Sequence, residues 1–384
     1  MITVKLRYQF RLYPSASQRR QLAKAFGCAR VVWNDALRIR LDAHQRGQPV
    51  PSITELAKKV ITEAKTTQER AWLGEVSAVV LQSSLRDLQA SYSNFFASKK
   101  GTRKGPRVGP PRFKTKSGRQ GVRFTKAARF SVNADRRLRL PKIGDVEVRW
   151  SRELPSDASS VTVIKDAAGR FFASFVVEAE NEALPELEWE ETDTGIDLGL
   201  SSYAVLRGRK IRTPKFFRRA ERKLKRAQRK VSRTQRGSNN RRKANVVVAK
   251  IHARVADQRR DFIERETTRI VRENQAVYLE DLNVKGMARV FGKSVHDQSL
   301  SAFARTLEAK CRRYGRGFVK VDRYFPSTRL CSRCGALTGP KGTQGLRQRR
   351  WTCDCGAVHD RDQNAECNLR AEGRRIVAEG RPDT

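Results

Sequence analysis

The side chains best suited to chemistry are three carboxylates, each belonging to a predicted strand or helix. Asp197 lies in Thr194-Gly-Ile-Asp-Leu-Gly-Leu200, whose apolar residues predict a strand with this carboxylate on the face opposite to them. Glu280 follows an apolar strand predicted at 276–279, and Asp362 precedes a predicted helix. Two strands and one helix start could bring these carboxylates to one place.

Each acid alone also has a structural interpretation: a tight turn for Asp197, a surface acid closing a strand for Glu280, and helix capping for Asp362. As a set, they could hold two divalent ions about 3.5–4 Å apart, as phosphodiester hydrolysis requires. Oxygen ligands of this kind suit Mg²⁺ or Mn²⁺. The set therefore predicts metal-dependent hydrolysis of nucleic acid.

A second metal site is predicted near the end of the chain, where four cysteines have the spacing of a zinc ribbon: Cys331, Cys334, Cys353 and Cys355. The second pair is one residue shorter than the usual knuckle, which leaves His359 or Cys367 as an alternative ligand. A catalytic zinc does not need four thiolates, so we expect Zn²⁺ to be structural and to fix the segment that delivers Asp362.

The charge of the chain points to a polyanionic partner. Lys and Arg number 81 against 40 Asp and Glu, for a formal net charge of +41. Residues 201–260 contain 22 Lys or Arg and two acids, on two predicted helices separated by residues 237–240. A solvated helical face is the alternative, but nucleic acid is the natural partner for so one-sided a charge.

Other classes of protein are not expected. The chain has neither an apolar run of about 18 residues nor a basic amphipathic anchor, so no membrane role is predicted. The first residues alternate like a strand and lack the apolar core of a secretory signal. We therefore expect a cytoplasmic, nucleoid-associated protein with reduced thiols.

Composition divides the chain into regions. A strand at 2–13 ends at Pro14, and Ser15 is placed to cap a helix that opens a helical block reaching about residue 100. A basic Gly/Pro-rich loop follows, and then short β-rich segments at 122–179. These strands predict a small β-barrel or sandwich with the helical block inserted. The acidic segment 182–193 predicts a linker, with a new domain from about Thr192.

Four motifs stand out along the chain: Gly195-Ile-Asp-Leu-Gly199, Leu279-Glu-Asp-Leu282, Pro326-Ser-Thr-Arg-Leu-Cys-Ser-Arg-Cys-Gly335 and Cys355-Gly-Ala-Val-His-Asp-Arg-Asp-Gln-Asn-Ala365. They resemble the TnpB family of transposon-encoded RNA-guided DNA endonucleases, which are related to type V CRISPR effectors. Segments at 10–14, 30–34, 111–114 and 224–229 are also similar, so the resemblance covers nearly the whole chain.

The resemblance implies an α+β multidomain architecture. A wedge β-barrel would comprise residues 1–14 and 100–185, with a helical recognition lobe at 15–99 inserted in it. A RuvC-like nuclease domain of RNase H fold would comprise 192–330 and 356–384, with a zinc-ribbon insertion at 331–355.

The resemblance also implies roles and partners. Asp197, Glu280 and Asp362 match the family's catalytic acids, and the four cysteines match its zinc positions. The expected partners are a guide RNA, with one protein per RNA, and a double-stranded target DNA with which the guide pairs. Two alternatives are a nuclease-inactive RNA-guided repressor, which would be expected to lack an acid, and an unguided RNase H-fold nuclease or recombinase.

Overall fold

The computed structural model describes residues 3–180, 182–188, 191–341, 345 and 348–380. The chain divides into two compact units, Met1–Glu180 and Asn181–Thr384. The acidic segment predicted as a linker is bound to the second unit, where the Leu184 N–H donates to the Tyr314 carbonyl at 3.1 Å. The first unit therefore ends before residue 185, the limit predicted for the wedge domain.

The first unit is built on a seven-stranded antiparallel sheet in the order β2-β6-β7-β1-β5-β4-β3. Among the described residues, no pairing joins the edge strands β2 and β3, so the predicted barrel is an open half-barrel sheet. Its strands are β1 (Thr3–Tyr13), β2 (Gln120–Thr125), β3 (Ser131–Val132), β4 (Leu138–Leu140), β5 (Gly144–Arg149), β6 (Ser160–Lys165) and β7 (Phe171–Glu180).

The helical segment between β1 and β2 begins as the sequence predicts. The Gln18 N–H donates to Ser15 Oγ at 3.3 Å and the Ser15 N–H to Gln18 Oε1 at 2.9 Å, which forms a capping box. The helices share one hydrophobic core with the sheet, so they are not a separate compact unit. They are α1 (Ala16–Gln45), α2 (Ile53–Ala57) and α3 (Ala78–Lys99), with a π-helical turn at Lys58–Glu63 and 3₁₀ turns at Ala64–Thr66 and Ala71–Glu75; a further 3₁₀ turn, Lys126–Ala128, follows β2.

The second unit contains a five-stranded mixed sheet in the order β10-β9-β8-β11-β12, in which β8, β11 and β12 are parallel. A separate two-stranded hairpin pairs β13 with β14. The strands are β8 (Asp193–Leu198), β9 (Ser202–Leu206), β10 (Arg209–Arg212), β11 (Ala276–Glu280), β12 (Gly317–Val321), β13 (Arg350–Thr352) and β14 (Val358–Asp360). The helices are α4 (Phe216–Ser232), α5 (Asn239–Glu273), α6 (Val284–Gln298), α7 (Leu300–Arg313) and α8 (Arg361–Ala378).

Helices cover both faces of this sheet, and the pleat of β11 shows which residues face which helix. Val277 and Leu279 pack in the core that includes α5 and α7. Tyr278 packs with Leu369 of α8 on the other face. Because side chains alternate along a strand, Glu280 shares the α8 face with Tyr278.

The two basic helices predicted at 201–260 are α4 and α5. The carboxylate of Asp297 anchors them: it accepts the N–H groups of Phe217 and Arg218 at 2.8 and 3.1 Å, and Arg259 Nη2 at 2.9 Å. Of the residues in α4, only Leu224 is buried, so its basic side chains remain available to a partner. Among the described residues, no helix has the length and apolar character needed to cross a bilayer.

Candidate functional site

Asp197 and Glu280 come from neighbouring parallel strands. The register of β8 with β11 pairs Ile196 with Leu279, so Asp197 and Glu280 are the next residues along their strands. Neighbouring strands lie about 4.8 Å apart, and residues at matching positions point to the same face. Gly195, two residues before Asp197, contacts α8, which gives Asp197 the same face as Glu280.

Helix α8 contributes Asp362 from its first turn. The cap of this helix is Asp360, whose Oδ1 accepts the N–H groups of Asp362 and Gln363, both at 3.1 Å. The capping role considered for Asp362 therefore belongs to Asp360, and the Asp362 carboxylate is left for other partners. Three acids that are far apart in the sequence thus converge on the α8 face of one sheet.

Two glycines allow α8 to lie close to the strands that carry the other acids. A Cβ at Gly195 of β8 would lie 2.3 Å from the Glu366 carbonyl oxygen, and a Cβ at Gly373 of α8 would lie 2.0 Å from Tyr278 Cδ1. No side chain fits in either place. The approach is reinforced by the Gly195 N–H, which donates to Glu366 Oε1 at 3.1 Å.

An ion pair between an exposed arginine and a buried aspartate fixes the far end of α8. The fully buried carboxylate of Asp193, at the start of β8, accepts two hydrogen bonds from Arg374 at 2.5 and 2.8 Å. Such two-pronged pairs set direction as well as distance. Helix α8 is therefore held against β8 at two places, Glu366 and Arg374. These contacts fix the direction of the helix and so the position of its first turn.

The electrostatics of the site reflect burial first and repulsion between the carboxylates second. Burial, and then the charge of Asp362, raises the pKa of Asp197 to about 7. Burial raises the pKa of Glu280 to about 7 as well, with further contributions from Asp197 and Asp281. A bound cation would offset the free-energy cost of ionising these buried, mutually repelling carboxylates. The site therefore favours the binding of positive charge.

Three basic side chains around Asp362 were not anticipated from the sequence. Arg349 Nη1 contacts both Asp362 oxygens at 2.9 and 3.0 Å, Arg361 Nη2 lies 3.1 Å from Oδ1, and Lys210 Nζ lies 3.7 Å from Oδ2. Arg349 also donates to Ser201 Oγ at 2.6 Å. In a chain with 81 Lys and Arg, no spacing distinguishes these residues.

The cysteines predicted to bind zinc are gathered at one point. Their four Sγ atoms all lie within 4.8 Å of one another: Cys331, Cys334, Cys353 and Cys355. Among the described residues, the three carboxylates do not form so tight a group. Of the alternative ligands, His359 Nε2 lies 3.1 Å from Cys331 Sγ, whereas Cys367 Sγ contacts Glu366 at 3.6 Å.

The cysteine cluster is tied to α8 on both sides. Asn364 and Asn368 of α8 donate to the Leu330 carbonyl at 2.7 and 2.6 Å, and Asn364 Oδ1 accepts the Ser332 N–H at 2.9 Å. These bonds hold the backbone on either side of Cys331. The hairpin that carries the second cysteine pair runs directly into α8, because β14 ends at Asp360.

Comparison with known proteins places the chain in a family. Three family models match it, described as a probable transposase (residues 174–290), a helix-turn-helix domain (1–49) and a Cas12f1-like TNB domain (301–369). A protein of Streptomyces pristinaespiralis, named "Putative RNA-guided DNA endonuclease", is 41% identical and matches 97% of this chain and 90% of its own length. The chain belongs to the TnpB family.

Two further relatives are less similar to this chain. A protein of Escherichia coli K12 is 27% identical over 97% of this chain and 93% of its own length, and one of Mycobacterium tuberculosis is 28% identical over 94% and 85%. Both have names that describe RNA-guided DNA endonucleases. The TnpB chain also shares its fold with a solved Cas12f1 chain from a complex with sgRNA and target DNA, at a TM-score of 0.55 and 13% identity, covering 96% and 98% of the two chains.

One family model carries a name that the structure does not match. The described residues of the segment called a helix-turn-helix domain form strand β1 and the single long helix α1. In this TnpB protein, that segment is the centre of the half-barrel sheet and the helix that packs on it.

Proposed function

We propose that this protein is an RNA-guided DNA endonuclease that hydrolyses phosphodiester bonds at a RuvC-type site formed by Asp197, Glu280 and Asp362. The observation that carries the proposal is the convergence of these acids from β8, β11 and α8, with the pKa of Asp197 and of Glu280 raised to about 7 by burial and neighbouring charge. The names of its relatives support the same activity.

The donor set fits hard divalent cations, because all three side chains offer oxygen atoms and because burial and neighbouring carboxylates raise the pKa of Asp197 and of Glu280. Mg²⁺ or Mn²⁺ held there would supply the charge that lets a hydroxide approach an anionic phosphate. Asp197, Glu280 and Asp362 would be the ligands. Arg361, with a side chain only 11% exposed, would hold the Asp362 carboxylate in its orientation.

The guide RNA and the target DNA are proposed as partners of the basic surfaces. A guide with its scaffold offers many phosphates to a chain of net charge +41, and the exposed cations of α4 are suited to contact them. By family resemblance, we assign the first unit to the wedge and recognition functions, one protein to each RNA, and the nucleoid as the place of action.

Zn²⁺ is proposed for the cysteine cluster. Four sulfurs bound tetrahedrally at about 2.3 Å from zinc lie about 3.8 Å apart. The Sγ atoms of Cys331 and Cys355 are 3.8 Å apart and those of Cys334 and Cys353 are 3.6 Å apart, so the set fits the ion. Zinc here would have a structural role. The hydrogen bonds from Asn364 and Asn368 to the Leu330 carbonyl, next to Cys331, connect the cluster to the helix that carries Asp362.

Metal analysis of purified variants tests the zinc ligands. We expect one zinc per wild-type chain and loss of that zinc in Cys331→Ser, because three thiolates leave the ion incompletely coordinated. His359→Ala is the matched control and should retain zinc. If His359→Ala lost zinc and Cys355→Ser kept it, the ligand set would include the histidine instead.

The activity is tested with the protein expressed beside its native flanking DNA. RNA that remains bound after purification is sequenced; we expect one dominant RNA with a constant scaffold and a 3′ end that matches DNA next to the element. The purified complex should then cut matching DNA in Mg²⁺, and Asp197→Ala should abolish cutting while retaining the RNA.

Each outcome discriminates between functions. A heterogeneous RNA pool with unguided cutting would favour the nuclease or recombinase alternative. A discrete guide with target binding but no cutting by the wild type would favour the repressor, although all three acids are present. Cutting that survives Asp197→Ala would refute the assignment of the acid site.

A further inference from the structure

Tyr324 is the most exposed of the large apolar side chains that the structure describes on the surface, at 85%. It lies in the turn that follows β12, and Val321, the last residue of β12, pairs with Glu280 of β11. Because these strands are parallel, Tyr324 emerges at the same edge of the sheet as the proposed catalytic acid. Tyr324 has no role in the hydrolysis proposed for the three acids.

The backbone around Tyr324 is held firmly although its ring is free. Asp322 Oδ1 accepts the Tyr324 N–H at 2.7 Å, and the Asp322 carbonyl accepts the Phe325 N–H at 3.0 Å. Phe325 turns inward and packs against the core under α8. Arg323 Nε lies 3.1 Å from Asp281 Oδ2, next to Glu280.

The same turn is bound to the helix that carries Asp362. Asn368 of α8 donates to the Ser327 carbonyl at 2.8 Å, three residues after Tyr324. The turn is thus attached both to the strand end of Glu280 and to the first turns of α8. The backbone that carries the ring is already ordered. A partner that binds the ring therefore loses little conformational entropy of this turn.

The chemistry of the surroundings selects the kind of partner. The neighbours Asp322 and Arg323 are polar and exposed, so the ring is not part of an apolar patch of the kind that docks proteins. A single flat aromatic face on a polar surface suits the face of an unpaired base, which stacks without regard to sequence.

We propose that Tyr324 stacks on an unpaired base of the single-stranded DNA being cut, one or a few nucleotides from the phosphate that meets the acid site. The inference rests on the proposed function, since it takes the strand at this sheet edge to be the DNA substrate. Stacking there would hold the strand in register, and it would act on any base because every base has a π-face.

The test uses the purified protein–guide complex and target DNA with a single abasic position scanned through the strand being cut. In the wild type, we expect one position at which loss of the base slows cutting by about 5-fold to about 150-fold, the range expected for one stacked base. Tyr324→Ala should slow cutting of intact DNA by a similar factor. In that variant the abasic position should add no further loss, because both changes remove the same contact.

Further variants separate stacking from structural damage. Tyr324→Phe and Tyr324→Trp keep an aromatic face and should retain the wild-type rate, while Val377→Ala, at another exposed apolar side chain, should leave the rate and the abasic profile unchanged. Fluorescence of 2-aminopurine at the sensitive position, measured with Asp197→Ala so that the DNA stays uncut, should be quenched when Tyr324 is present and recover in the Asp197→Ala/Tyr324→Ala double variant.

The two hypotheses fail in different ways. If the wild-type complex cuts guided DNA and Tyr324→Ala cuts equally well with an unchanged abasic profile, the stacking role is refuted and the endonuclease assignment stands. If the wild-type complex does not cut guided DNA, the proposed function fails and the inference falls with it.

Discussion

At the scale of residues, Glu280 and Asp281 are adjacent but have different surroundings. Burial raises the pKa of Glu280 to about 7, and its side chain shares the face of Asp197. Asp281 is half-exposed and forms an ion pair with Arg323. Glu280 is therefore placed to act with Asp197, whereas Asp281 supports the turn that carries Arg323.

We predict that Glu280→Gln abolishes guided cutting, because the amide keeps the shape but cannot carry the negative charge that the ions require. Asp281→Asn should reduce cutting by no more than about 100-fold, since it only weakens the contact that supports the Tyr324 turn. Single-turnover cutting rates test both, with melting temperature as the control for folding. Equal loss in the two variants would contradict this division.

At the scale of elements, the site depends on how closely α8 lies on β8 and β11. Its approach is set by two positions without side chains, Gly195 and Gly373, and by the ion pair of Asp193 with Arg374. The cysteine cluster acts on the same helix through Asn364. Displacement of α8 would therefore move Asp362 relative to the acids on the strands.

We predict that Gly373→Ala destabilises the protein by about 3 kcal/mol or more, because its Cβ would overlap the Tyr278 ring at 2.0 Å and the core cannot expand freely. Gly292→Ala in α6 is the matched control, since a Cβ there meets nothing within 4 Å. Alanine favours a helix over glycine by about 1 kcal/mol, so the control should be neutral or stabilising. Chemical denaturation measures both changes; destabilisation of similar size in both would show that the close approach of Gly373 to Tyr278 is not the cause of the loss.

At the scale of the whole molecule, the exposed cations differ in whether neighbouring acids neutralise them. In α4, Arg222, Lys223 and Arg226 are exposed, whereas Arg375 of α8 is neutralised by Glu372 and Glu379. Cations without acidic partners release counterions when they bind phosphates. The exposed face of α4 is thus suited to contribute directly to RNA affinity.

We predict that guide RNA affinity falls steeply between low and high salt. The combined variant Arg222→Gln, Lys223→Gln and Arg226→Gln should reduce the slope of log K against log salt by up to about 3, roughly one unit per phosphate contact. Arg375→Gln is the control and should leave the slope unchanged. Filter binding from 50 to 400 mM salt, about the range over which such contacts are lost, measures both. A flat salt response of the wild type would contradict backbone-dominated binding.

The amino-acid sequence by itself determined the elements and the candidate chemistry. Alternation predicted β1, apolar residues around Asp197 and before Glu280 predicted β8 and β11, Ser15 predicted the start of α1, and the spacing of the cysteines predicted the cluster that the structure forms, because these signals are local. Only the tertiary structure decided what depends on distant contacts. It bound the acidic segment at 182–188 to the second unit, opened the predicted barrel into a half-barrel, surrounded Asp362 with Arg349, Arg361 and Lys210, and left Tyr324 exposed at the same edge of the sheet as Glu280. Strand pairing, ion pairs and exposure depend on how the elements pack, and no local pattern encodes them.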